Sequence, residues 1–246
     1  TYRNLQGIET GYGFNFRPLV TFALDEYCDC DASAFAISNV FGEETELEKD
    51  DLLAKMAKAI TVIQLKLENQ MLMRHPEFDM AERILYPETE LTEKERVLIE
   101  YLTSEFMRNK RLARDARFLL SHGSMYKVYN GNLLMHGCVP TEPNGEFSRV
   151  PVGNGYFSGK ALYDRLDKLV RSASEGDTYA VDYMWYLWCG KKSPLYGRDK
   201  MNVYAKYFGT EAEVENMDPY YTFINEEVYC LKVLEEFGLA WEYSTI

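Results

Sequence analysis

The chain has 246 residues, enough for one large hydrophobic core or two modest ones. Its 27 Lys and Arg against 39 Asp and Glu give a formal charge of −12, a field that repels polyanions and disfavours non-specific nucleic-acid binding. Hydrophobic residues make up 46% and charged ones 27%, and no run reaches the roughly 18 apolar residues of a membrane span, so an ordinary globular protein without a membrane role is expected.

The five cysteines, Cys28, Cys30, Cys138, Cys189 and Cys230, are odd in number and scattered, with no secretory signal ahead of them. Reduced thiols in a cytoplasm are the simplest expectation. Cys28 and Cys30 form a Cys-x-Cys pair, but no second pair or nearby His completes four ligands, which favours structural thiols over a metal. The sequence opens at Thr1 in a polar stretch without a methionine and closes at Ile246, the pattern of a segment cut from something longer.

Pro18 suits the first turn of a helix carrying Leu19, Phe22, Ala23 and Tyr27, with a loop exit from Cys28 to Ser33. A longer helix is expected from about Leu47 to His75, where Leu53, Met56, Ile60, Ile63, Leu67 and Met71 recur at spacings of three and four and Pro76 ends the run. Core packing explains that stripe, and the opposite face of Lys55, Lys58, Lys66 and Glu68 is expected to be solvated. Thr92 and Glu95 make a capping box, so a further helix should start there and carry Leu98, Tyr101, Leu102 and Phe106 toward Ala113.

The pattern then changes. Met125 to Tyr129 and Asn132 to His136 flank Asn130-Gly131, a dipeptide that suits the positive φ angles of a tight turn, and predict a β-hairpin. A second Asn-Gly, Asn144-Gly145, lies in a loop with Pro140, Pro143 and Pro151. Helical signals resume over Gly159 to Ala173 and Asp177 to Trp188, which stops at Gly190. In the last helix Asn225 is the expected cap, Glu226 and Glu227 favour its positive end, Leu231, Leu234 and Phe237 face inward, and Gly238 terminates it. No internal repeat, low-complexity tract or clear linker interrupts the chain. The fold expected is α+β and predominantly helical.

Among the histidines, His136 is the most informative, because it ends the apolar run Leu133-Leu134-Met135 and precedes Gly137 and a turn. Strand ends are where α/β enzymes present reactive groups, and neutral imidazole is a common transition-metal ligand; a structural role remains open. His75 and His122 read as helix-end or loop residues. Asp182 stands in Tyr179-Ala-Val-Asp-Tyr-Met-Trp-Tyr-Leu-Trp188, apolar around most of a helix. Such a helix is expected to be buried, and a carboxylate within it must be paired, hydrogen-bonded or protonated, with or without a catalytic role.

Directly after comes Lys191-Lys192-Ser193-Pro194-Leu195-Tyr196-Gly197-Arg198-Asp199-Lys200, four cations within ten residues of an acidic chain. Lys191, Lys192, Arg198 and Lys200 are candidates for a phosphate cradle, with a solvated basic loop as the alternative. Gly153-Asn-Gly155 with Ser158-Gly159-Lys160 at a helix start is a weaker candidate of the same sort. No nucleophile elbow, Walker A sequence, dinucleotide fingerprint, zinc-protease helix motif or EF-hand loop is present.

The string Leu133-Leu-Met-His-Gly-Cys-Val-Pro140 resembles the block in metallophosphatases where a strand delivers a metal-binding histidine. Longer strings narrow the resemblance to class III fructose-1,6-bisphosphatases: Gly11-Tyr-Gly-Phe-Asn-Phe-Arg-Pro-Leu19, Ile63-Gln-Leu-Lys-Leu-Glu68 with Arg74-His-Pro-Glu-Phe78, Tyr156-Phe-Ser-Gly-Lys-Ala-Leu162, and Asp182-Tyr-Met-Trp-Tyr-Leu-Trp-Cys-Gly190 with Ser193-Pro-Leu-Tyr-Gly197. The resemblance implies a partial calcineurin-like metallophosphoesterase fold with a helical insertion. On that basis 1–120 is the mainly helical insertion region and 121–246 the partial phosphoesterase region.

The resemblance further implies manganese-assisted hydrolysis of the 1-phosphate of fructose 1,6-bisphosphate in gluconeogenesis by a dinuclear centre. His136 is the implied metal ligand. Asp182 is a candidate catalytic residue, and Lys191, Lys192, Arg198 and Lys200 are candidates for the sugar bisphosphate. The family's other metal blocks, including Gly-Asn-His-Asp and Gly-His, are missing from this sequence, and one ligand does not hold two metals. The expectation is therefore a segment inactive in isolation. Alternatives are an autonomous regulatory or homo-oligomerisation module, or a metallophosphatase of another substrate.

Overall fold

The computed structural model describes residues 13–14, 16–27, 49–83, 86–202, 205–208 and 213–239, so the Cys28-Cys30 pair, the loop exit after it, and Gly11-Tyr12 lie outside the described residues. In chain order the elements are α1 (Arg17–Tyr27), α2 (Lys49–Arg74), α3 (Glu93–Arg108), α4 (Lys110–His122), β1 (Tyr126–Tyr129), β2 (Asn132–Met135), β3 (Val150–Val152), β4 (Gly155–Phe157), α5 (Gly159–Ser174), α6 (Thr178–Cys189), α7 (Ala205–Phe208), α8 (Tyr220–Phe223) and α9 (Glu227–Glu236). The architecture is α+β and mostly helical, with two small antiparallel sheets. It divides into two compact units, one drawn from 1–71, 84–121 and 203–211, the other from 72–83, 122–202 and 212–246.

In the first unit, Leu19, Val20, Phe22 and Ala23 of α1 pack with Met56, Ala59 and Ile63 of α2 and with Leu98 and Leu102 of α3. The capping box forms as the sequence predicts: the Glu95 amide donates to Thr92 Oγ1 at 3.2 Å, and the Thr92 amide donates to Glu95 Oε2 at 2.7 Å. The expected single helix toward Ala113 is broken at Asn109, which is extended, and whose Oδ1 accepts from Leu112 N at 2.8 Å and so caps α4. An Asn side chain that satisfies a free amide at a helix start favours a new helix over continuation of the old one.

The solvated face expected on α2 is corrected. Lys66 is 2% and Glu68 6% exposed, while Leu67, expected to face inward, is 37% exposed. Burial of Lys66 is compensated by partners distant in sequence: its Nζ lies 3.0 and 3.1 Å from the Glu95 carboxylate oxygens and 2.9 Å from Glu88. Gln70 and Asn69, on the same helix, donate to the carbonyls of Thr89, Tyr86 and Glu88. A polar stripe that pairs with a neighbouring segment is buried like an apolar one, and periodicity alone does not distinguish the two.

In the second unit, Asn130 (φ 49°) and Gly131 (φ 73°) form the predicted turn, and β1 pairs with β2 from Tyr129↔Asn132 to Tyr126↔Met135. A second hairpin, β3–β4, turns at Gly153-Asn154; its three-residue strands, one holding Pro151, were too short to register as alternation. The core gathers Leu133, Cys138, Val139, Tyr163, Tyr220, Tyr229, Val233, Leu234 and Phe237. Asp177 caps α6 by accepting from Ala180 N at 3.0 Å. Asn225, the expected cap of α9, instead donates to the carbonyls of Tyr221 and Thr222, because α8 ends just before it and leaves those acceptors open.

The expectation that α6 is buried holds for one side only. Ala180, Tyr183, Tyr186, Leu187 and Cys189 are buried, whereas Val181 (51%), Met184 (39%) and Trp188 (67%) lie exposed along the other side. Tyr183 is accommodated in the core because its hydroxyl donates to the Pro151 carbonyl at 2.9 Å.

Candidate functional site

Two of the sequence candidates, the turn after His136 and the Lys191–Lys200 loop, meet in the second unit. His136 directly follows β2 and is exposed. Gly137 then adopts φ +85°, and a Cβ there would lie 2.0 Å from the Pro194 carbonyl oxygen. Next, Cys138 N donates to that same carbonyl at 2.9 Å. From the other side, Gly197 (φ +60°) has no room for a Cβ, which would sit 2.9 Å from Cys138 Sγ. Two glycines that admit no side chain thus set the spacing between the turn after His136 and the Lys191–Lys200 loop.

All four cations of that loop face carboxylates. Lys191 lies 3.8 Å from Glu82, Lys192 2.5 Å from Glu142, and Lys200 3.5 Å from Glu82 with a closer bond to Glu213; Arg198 pairs with Glu215. Glu82 is in place because residues 80–82 run alongside the loop, with Glu82 N donating to Asp199 O at 2.7 Å and Met201 N to Glu82 O at 2.8 Å. Hydrogen bonding with Lys192 holds Glu142 below the usual carboxylate range, and the Glu213 carboxylate raises Lys200. All four side chains remain partly exposed, at 38%, 34%, 46% and 23% for Lys191, Lys192, Arg198 and Lys200. A phosphate at this loop would compete with acids for surface cations, an exchange that costs little because exposed ion pairs are weak.

Asp182 is paired. Its Oδ2 accepts from Arg74 Nη2 at 2.9 Å and Nε at 3.2 Å, and lies 3.0 Å from His75 Nε2. His75 stacks on Phe78 with centroids 4.8 Å apart and meets the edge of Tyr179. His75, expected at a helix end or in a loop, directly follows α2, and its contact with Asp182 joins the Arg74–Phe78 string to the Asp182–Gly190 string.

A third segment completes the junction and was not singled out from sequence. Asp218, 9% exposed, accepts from Tyr220 N at 2.8 Å and Thr141 N at 3.1 Å through Oδ1, while its own amide donates to Gly197 O at 2.9 Å. Burial pushes its carboxyl up to about 6 against the pull of those two amides. Thr141 in turn donates from Oγ1 to Val139 O at 2.7 Å and shares a hydrogen bond with the Tyr229 hydroxyl. The sequence signal was present in Asp218-Pro219, since an aspartate that accepts from an amide two residues on opens a turn.

The weaker anion candidate at Ser158-Gly159-Lys160 already carries an anion. Glu236 Oε1 accepts from Lys160 N at 2.8 Å, and a Cβ on Gly159 would meet that oxygen at 2.2 Å. The first turn of α5 is therefore neutralised by a carboxylate from α9. Gly153 serves the β3–β4 turn, its amide donating to the Tyr179 hydroxyl at 2.7 Å. An open groove of about 600 Å³ runs along β1 and α5, lined by Tyr126, Lys127, Asp164, Asp167, Lys168 and Phe237, and contains none of the candidate site residues.

The donor set does not fit a dinuclear metal centre. His136 has no second and third ligand beside it: among the described residues no group of three His, Cys, Asp or Glu side chains is arranged to hold a metal ion. Among the described residues, too, no helix is long and apolar enough to cross a membrane.

Comparison with known proteins gives these loops a context. The Firmicute fructose-1,6-bisphosphatase family model matches residues 1–90 and 86–246, and the chain belongs to that family. Three similar relatives all carry the name fructose-1,6-bisphosphatase class 3. The protein of Clostridium botulinum strain Loch Maree is 38% identical over 285 aligned residues, covering 100% of this chain and 42% of the relative. The one from Clostridium acetobutylicum is 37% identical, covering 100% and 43%, and the one from C. botulinum strain Langeland 38%, covering 100% and 42%. The chain thus spans less than half the length of the curated relatives it matches. No solved structure matches it.

Proposed function

We propose that this chain works as a segment of a class III fructose-1,6-bisphosphatase, an enzyme that removes the 1-phosphate of fructose 1,6-bisphosphate in gluconeogenesis in the cytoplasm. In this reading the chain contributes to a calcineurin-like metallophosphoesterase site that is completed by sequence outside these 246 residues. The observation that carries the proposal is the junction itself: the turn after His136 and the loop of Lys191, Lys192, Arg198 and Lys200 are packed together with no space for a side chain between them.

The roles follow from the chemistry of the side chains. Lys191, Lys192, Arg198 and Lys200 bind the phosphates by exchanging surface carboxylate partners for a dianion. Asp182, its carboxylate held by Arg74 and His75, is the catalytic carboxylate in this reading. His136 supplies one ligand to manganese, with the remaining ligands coming from elsewhere in the protein. Among the described residues the donors do not form the metal's site, so no catalytic step of this chain runs through a metal held by it alone. The chain alone is therefore inactive, and residues 1–120 form the insertion while 121–246 belong to the phosphoesterase region.

The test is manganese-dependent phosphate release from fructose 1,6-bisphosphate, by this chain and by a full-length protein carrying it. Release by the full-length protein only is the expected result. Release by the chain alone would overturn the missing-ligand argument, and release from phosphopeptides in preference to the sugar bisphosphate would replace the substrate.

A further inference from the structure

Three segments meet at the site, 136–142, 190–200 and 213–221, and one residue bonds to the other two. Among the described residues of the second unit, Asp218 is the only buried charged side chain. Its bonds are divided: the backbone amide reaches Gly197 in the cation loop, and the carboxylate reaches Thr141, five residues after His136. Among the described residues, no basic side chain is bonded to it. The charges that act on it are those of Glu142 and Lys192, the ion pair that spans the two loops.

We propose that Asp218 is a positioning residue of this site: its carboxylate holds the turn after His136 against the Lys191–Lys200 loop and thereby sets where Lys192 stands for substrate. The proposal rests on the bisphosphatase reading for its substrate, and on geometry for everything else. The turn from 137 to 142 has three anchors across the junction, Cys138 N on Pro194 O, Thr141 N on Asp218, and the Lys192–Glu142 pair. The first is a single backbone bond and the last is a weak exposed pair. The first and the middle one are both buried, and the middle one is the only one of the three that uses a buried side chain, so it can be removed by substitution while the backbone bond stays. Gly137 and Gly197 act as rigid stops that prevent the loops from closing further, and Asp218 acts with the Cys138–Pro194 bond to keep them from parting. Oδ1 alone makes both short bonds, so an Asn with its oxygen in the same place keeps most of the tie, and an Ala keeps none.

The test pairs Asp218→Ala with Asp218→Asn and reads two quantities. In this chain, hydrogen exchange at the Thr141 and Tyr220 amides should accelerate about tenfold in Asp218→Ala, the size of one lost buried bond, while the Leu187 amide in α6 is unchanged. In the full-length protein, Asp218→Ala should raise KM for fructose 1,6-bisphosphate about tenfold with a smaller change in kcat, and Asp218→Asn should recover most of that loss. A general loss of folded protein would instead lower kcat at constant KM and speed exchange at Leu187 as well. Unchanged exchange at Thr141 and Tyr220 in Asp218→Ala, or an unchanged KM, would overturn the proposal. If the wild-type full-length protein releases no phosphate from the sugar, the bisphosphatase reading fails, and the exchange measurement still decides whether Asp218 ties the loops.

Discussion

Lys66 Nζ lies within 3.1 Å of both carboxylate oxygens of Glu95, and at 2% and 4% exposure the two side chains are a buried ion pair in the first unit. Removing one member leaves the other charged in a place with little water. Lys66→Met should therefore cost about 3–5 kcal/mol in urea unfolding, and Lys66→Met with Glu95→Gln should recover much of it. Gln retains the capping bond to Thr92 while relieving the stranded charge. A double variant as unstable as the single one would show that the pair is not the source of the loss.

The two loop glycines can be separated from ordinary glycine effects. Gly137 and Gly176 both have positive φ, +85° and +93°, but only Gly137 would drive a Cβ into backbone, whereas nothing lies within 4 Å at Gly176. Gly176→Ala should cost about 1–2 kcal/mol from backbone conformation alone. Gly137→Ala should cost clearly more in the same thermal melt and should disturb amide protection at Cys138, whose bond to Pro194 it opposes.

Lys192 and Glu142 form a partly exposed pair, so neither substitution should change stability by more than about 1 kcal/mol. Their effects on a phosphorylated ligand should be opposite. Glu142→Gln releases Lys192 and should tighten binding of fructose 1,6-bisphosphate to the full-length protein, while Lys192→Ala should weaken it by about tenfold or more, as expected for a charge-assisted bond. Calorimetric titration of both variants checks the sign as well as the size.

Asp218 gives a pH dependence of unusual direction. Its carboxyl is raised from 3.8 to about 6 in the folded chain, so between those values the native state holds a proton that the unfolded chain has released. Stability from this group is accordingly present below about pH 4, falls as pH rises toward 6, and is flat above that. The groups facing it are Glu142, Lys192, Cys138, Tyr163, Tyr221 and Tyr229; burial pushes the Cys138 thiol and the three phenols up, so they stay neutral across the window. Comparing urea unfolding of the wild type and Asp218→Asn from pH 4 to 7 should show the slope in the wild type only, since Glu215, which is lowered by its own partners, contributes equally to each.

Signals local in sequence were legible: the Thr92–Glu95 capping box, the Asn130-Gly131 hairpin and the Gly238 stop all form. The partners were not. Lys66 reads as a solvated lysine until Glu88 and Glu95 are folded beside it, and Lys191 to Lys200 read as free cations because Glu82, Glu142, Glu213 and Glu215 lie far along the chain or beyond the loop. Asp218 was missed for the same reason. Its partners Thr141 and Gly197 become neighbours only when three loops meet, and the charge of a lone Asp before Pro suggests a turn and nothing more. Where His136 stands was legible because a strand end followed by glycine is a local pattern.

The carboxylate of Glu236 at the start of α5 bears on the order in which the chain assembles. The bond to Lys160 N spans 76 residues, so as the polypeptide emerges from the ribosome α5 is made long before the group that neutralises its first turn. Until α9 arrives, that helix start is an open, positively polarised end. Any chain interrupted before residue 236 would keep it open, so the start of α5 is completed only once α9 has been made.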